Sequence, residues 1–79
     1  MSKSGFGERG MNILMYTILE ILERKNSLVK EQELFNSIKS IMSDISPSEF
    51  NKALMNLEIR GLIEVDLMKR GTRVIRLIQ

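Results

Sequence analysis

Apolar residues recur at helical spacing in the first part of the chain. Between Ile13 and Lys25, Leu14, Ile18, Ile21 and Leu22 fall on one side, and Met15 and Leu19 widen the arc to nearly half the circumference. Glu20, Glu23 and Arg24 lie opposite. This predicts a first helix over about 13–25, with Asn12 as its cap and Asn26-Ser27 as its end. So wide an arc suits an interior helix touching several neighbours; the sharper alternative is a dimer seam. Leu28 and Val29 form a short apolar pair, enough for one or two sheet bridges. A second stripe, Leu34, Phe35, Ile38, Ile41, Met42 and Ile45, predicts a second helix over about 31–43, with Asn36, Ser37, Lys39 and Ser40 facing away.

The strongest local signal is Ser46-Pro47-Ser48-Glu49. Ser46 suits an N-cap, and Pro47 occupies a first helical position where its missing N–H costs nothing. Glu49, three residues after the cap, can accept from the Ser46 N–H and complete a capping box. A third helix over 47–60 follows, burying Phe50, Ala53, Leu54 and Leu57 and ending at Gly61 as a left-handed cap. Beyond Gly61 the period drops to two. Ile63, Val65 and Leu67 alternate with Glu64, Asp66 and Met68; after a turn, Ile75 and Leu77 alternate with Val74, Arg76 and Ile78. A three-residue loop, Lys69-Arg70-Gly71, places Ile63, Val65, Ile75 and Leu77 on one face and Glu64 opposite Arg76; an even loop would put Arg76 on the core face.

The order helix, short strand, helix, helix, strand, strand predicts an α+β domain over 11–79. Residues 1–10, MSKSGFGERG, predict a flexible tail. With 79 residues there is room for one core. The chain has neither cysteine nor histidine, which removes disulfides, thiolate nucleophiles and the common zinc ligands. No glycine-rich phosphate loop or carboxylate pair stands out, so no enzyme, cofactor or metal is expected. The longest apolar stretch, Met11 to Leu22, is short for a bilayer and interrupted by Asn12, Thr17 and Glu20; no membrane role is expected, and the default location is the cytoplasm.

Charge placement says more than the net +2. Residues 1–45 are neutral, whereas the end of the chain carries Lys69, Arg70, Arg73 and Arg76 with no acid after Asp66.

These segments together resemble the winged helix-turn-helix superfamily. The resemblance rests on ISPSEFNKALMNLEIRGLIEVD, including the junction Leu57-Glu58-Ile59-Arg60-Gly61-Leu62-Ile63, followed by the basic hairpin LMKRGTRVIRLI. It covers Met11 to Gln79 and is similar to prokaryotic and archaeal regulators such as the multiple-antibiotic-resistance (MarR-like) and PadR-like groups. The resemblance implies three helices with a short strand and a C-terminal β-hairpin wing. It also implies transcriptional regulation, through a third helix in the major groove of double-stranded DNA and a wing on the backbone or minor groove. Two departures stand out. The segment Lys39 to Asp44 is longer than the shortest family pattern, as in ferric-uptake-type regulators, whose histidine and cysteine ligands are absent here; and Ile59 occupies a junction position that is usually polar.

With Phe50 inward, Ser48, Asn51, Lys52, Met55, Asn56 and Ile59 point outward. Asparagine can read adenine with two hydrogen bonds, lysine can reach guanine or phosphate, and Met55 can lie against a thymine methyl. The absence of arginine from the middle of this face points to weak base specificity or to readout by shape. Lys69, Arg70 and Arg73 are the expected phosphate contacts, whereas Arg76 is expected to be structural through Glu64. The competing reading is a winged-helix interaction module within a larger assembly, meeting a protein partner or a second copy through Met55 and Ile59. For every one of these side chains the plainer alternative is a solvated surface.

Overall fold

A computed structural model describes residues 8–25 and 28–78. Along the chain it has helix α1 (Glu8–Arg24), strand β1 (Leu28–Lys30), helices α2 (Glu31–Ile41) and α3 (Pro47–Ile59), and strands β2 (Ile63–Leu67) and β3 (Arg73–Leu77). The strands form one antiparallel sheet in the order β1-β3-β2, so this is an α+β fold of three helices and a three-stranded sheet.

Helix α1 begins well before Ile13. Asn12 is therefore inside it and does not cap it, and Glu8 to Gly10 belong to its first turn and not to a tail. A glycine at position 10 costs roughly 0.5–1 kcal/mol against alanine. Burial of part of Met11 against the core offsets this, and Glu8 suits the positive end of the helix dipole. The expected end at Asn26-Ser27 and the tail residues 1–7 lie outside the described residues.

Helix α2 starts directly from β1. Lys30 offers no side-chain cap, and Glu31 and Glu33 in the first turn supply the compensating charge. The helix stops at Ile41, two residues short of Ser43, and Ile41 is 62% exposed, not part of the buried stripe. The reason is a change of direction. The Met42 N–H closes the helix onto the Ile38 carbonyl, and the Ile45 N–H then turns onto the Met42 carbonyl at 3.0 Å, which carries Ile45 back into the core. Phe35 of α2 meets Phe50 of α3 edge to face, ring centroids 5.1 Å apart, and locks the two helices together.

The capping box of α3 is formed. The Glu49 N–H donates to Ser46 Oγ, and the Ser46 N–H to Glu49 Oε1, each at 3.1 Å. At the other end the Leu62 N–H reaches the Leu57 carbonyl and the Gly61 N–H the Glu58 carbonyl, the paired bonds of a Schellman motif. Gly61 has φ +77°, where a Cβ would be strained.

The hairpin has the register set by an odd loop: Ile63 pairs with Leu77, Glu64 with Arg76 and Val65 with Ile75. Strand β1 pairs all three of its residues with β3, Val29 facing Ile75. Val74 is buried although alternation sets it on the outer face of the sheet; it stands in the central strand between Lys30 and Asp66. Leu67 departs from expectation in the opposite sense. Burial along β2 fades from Ile63 through half-buried Val65 to Leu67, which is 72% exposed, because the strand outruns the helices that cover it.

The core is a single cluster between the helices and the inner face of the sheet. Leu14, Ile18, Leu22, Leu34, Ile38, Leu54, Leu57, Ile63 and Ile75 are its fully enclosed side chains.

Candidate functional site

The capping box determines which residues of α3 face outward. With Phe50, Ala53, Leu54 and Leu57 buried, Ser48, Asn51, Lys52, Met55, Asn56 and Ile59 are all exposed. At 3.6 residues per turn, Ser48, Lys52, Met55 and Ile59 run along the middle of this face, flanked by Asn51 and Asn56. Met55 is 60% and Ile59 79% exposed, so the centre of the face turns from polar to apolar along the helix.

The turn between β2 and β3 places Lys69 and Arg70 at an exposed tip, and neither forms an ion pair among the described residues. Arg70 sits at φ 68°, a left-handed conformation unusual for a side chain with a Cβ, and Gly71 at φ 78°. Arg73 is not free as the sequence suggested. Its Nε lies 3.6 Å from Glu31 Oε1, because the pairing of Lys30 with Val74 brings the first turn of α2 alongside the end of β3. Arg76 bridges Glu64 and also Asp66, the latter at 3.3 Å, so it ties the outer face of the hairpin together.

The first turn of α2 also connects this end of the hairpin to α3. Glu31, Gln32, Phe35, Pro47, Phe50 and Asn51 line a cleft of about 240 Å³. Glu31 therefore borders both Arg73 and the cleft that contains Asn51. The structure thus links Asn51 to Arg73 through the first turn of α2, with the Glu31 carboxylate between them.

A second cavity, about 340 Å³, opens beside the other end of α3, where Met15, Tyr16 and Leu19 of α1 face Leu57, Arg60 and Leu62. The breadth of the apolar arc in α1 pointed toward Met15 and Leu19. Met15 is core, and Leu19 packs partly against it. Tyr16, 76% exposed, and Arg60 were not singled out; the signal was that Asn12, Tyr16 and Leu19 share one flank of the helix. Among the described residues no group of three or more acidic side chains gathers as metal ligands do, and no helix is long and apolar enough to cross a membrane.

Comparison with known proteins gave no support from similarity: no family model matches the chain, and neither a curated protein nor a solved structure matches it.

Proposed function

We propose that the chain is a winged helix-turn-helix domain that binds double-stranded DNA as a transcriptional regulator, by contact and not by catalysis. Helix α3 lies in the major groove with Ser48, Asn51, Lys52, Met55 and Asn56 toward the bases, and the hairpin is the wing, with Lys69 and Arg70 on phosphates. The observation that carries this reading is the pair of cations, free of acid partners among the described residues, at the tip of a hairpin whose tip-side residue Arg73 meets Glu31 at the border of the cleft that Asn51 lines. Arg73 contributes less than its two neighbours, since Glu31 already holds it. The test is a titration of random-sequence duplex at several salt concentrations. Phosphate contacts from Lys69 and Arg70 set a log–log slope of about −1.8, at about 0.9 per phosphate. A chain that leaves duplex DNA unbound at low salt is not a DNA-binding domain.

A second reading is favoured by the exposure of Met55 and Ile59 in the C-terminal half of α3. Under it the domain is an interaction module, and these side chains meet another protein or a second copy of the chain. Sedimentation and DNA titration separate the two readings. Under the second, Met55→Asp with Ile59→Asp abolishes association and changes DNA affinity only as far as the added negative charge requires. Under the first it leaves sedimentation unchanged and weakens duplex binding further, because Met55 faces the bases.

A further inference from the structure

The hairpin tip carries two side chains that phosphate contact leaves unused. Leu67 and Met68, 72% and 54% exposed, are consecutive and directly precede Lys69 and Arg70. Successive residues of an extended strand point to opposite faces. Leu67 therefore projects on the helix-facing side and Met68 on the other, so the tip is apolar on both flanks and cationic at its end. The Met68 N–H donates to the Thr72 carbonyl at 2.6 Å, which closes the turn and holds the two chain segments side by side as a narrow finger. Neither apolar side chain serves the fold. Leaving each largely in water forgoes the stabilisation of burial, and a tip of serine and threonine would close the same turn without that exposure. The surface is built for a partner that supplies negative charge and apolar contact together.

We propose that the tip is a wedge that bends duplex DNA: Lys69 and Arg70 hold phosphates while Leu67 and Met68 press against and part a base step. This rests on the DNA-binding reading above. Apolar side chains flanked by cations are the chemistry that unstacks and kinks a duplex, the unstacking cost being repaid by contacts that the bent form allows. An anionic bilayer offers the same two attractions. It is a broad plane, however, and meets one flank of a narrow finger at a time, whereas Leu67 and Met68 project to opposite sides of the tip. A groove that encloses the fingertip meets both.

The experiment uses the whole chain and a short duplex with donor and acceptor dyes at its ends. Saturating wild-type protein raises energy transfer. Leu67→Ser with Met68→Ser removes that rise while leaving the salt slope of binding unchanged, because the cations remain. Both residues are exposed, and circular dichroism confirms that the variant is folded. Three results overturn the wedge: wild type binds but leaves the duplex straight, the double variant bends it equally, or wild type floats with phosphatidylserine–phosphatidylcholine vesicles under conditions where it ignores duplex. Absence of duplex binding at low salt brings down the DNA-binding reading and the wedge with it, whereas straight binding removes only the wedge.

Discussion

The two ends of α3 differ in kind. The N-terminal half carries Ser48, Asn51 and Lys52, borders the cleft at Glu31 and lies toward the hairpin cations. The C-terminal half carries Met55 and Ile59 and leads to the apolar groove between Leu57, Leu62 and α1. One end offers charge and hydrogen-bonding groups, which suit a hydrated polyanion; the other offers apolar area, which suits a protein surface. The two proposed readings therefore lean on different ends of the helix and overlap at Met55. Under them, Asn51→Ala is expected to leave sedimentation unchanged, and Ile59→Asp to spare base discrimination at Asn51.

The largest effect is expected at the cationic end. Lys69→Ala with Arg70→Ala lowers the magnitude of the salt slope by about 1.8 and weakens duplex binding on the order of 10²-fold near 0.1 M salt, with sedimentation unchanged. An unaltered slope places the phosphate contacts elsewhere and dissolves the contrast between the ends. Asn51→Ala comes next: it costs about 1–3 kcal/mol of discrimination at one base position, read by competition among single-base variants of a bound site, with no change in folding.

Arg70→Gly sharpens the comparison by setting stability against binding. The left-handed Arg70 carries a penalty that glycine escapes, while glycine loosens the unfolded chain. The net gain is about 0.5–1 kcal/mol in chemical denaturation, alongside a salt slope smaller by about 0.9. Loss of stability in this variant shows that the Arg70 side chain supports the turn. The smallest effect belongs to Glu31→Gln. Partly exposed ion pairs contribute about 0–1 kcal/mol, so freeing Arg73 tightens duplex binding at most about fivefold. Weaker binding in this variant means that Glu31 aims Arg73 at the DNA and does not withhold it.

Much of the fold was legible because its signals are short-range. The capping box spans four residues, the φ of Gly61 follows from its place after a helix, and the register of β2 and β3 follows from loop parity and the Glu64–Arg76 pair. The discrepancies arose where tertiary contact decides. Periodicity continues through Ile41 and Leu67, although the elements that would cover them do not reach that far. The start of α1 depends on Met11 finding the core. At the site, the outward face of α3 was readable from its helical period. The pairing of Arg73 with Glu31 was not, because those residues are distant in sequence and meet only once β1 has joined the sheet.

The strand order β1-β3-β2 has a consequence for the timing of folding. Strand β3 is the last of the described strands along the chain and the only one bonded on both sides. During synthesis β1 emerges first and has no partner until Val74 to Arg76 follow, with all of α2, α3 and β2 made in between. The helices can begin to gather beforehand, but until β3 has docked β1 and β2 lack their sheet partner, and open strand edges invite pairing between molecules. The final strand acts as a zip fastener for both. Once it is in place, the amides of Val74 to Arg76 should be the slowest in the sheet to exchange with solvent, because their strand has a neighbour on each side and neither edge is open to water.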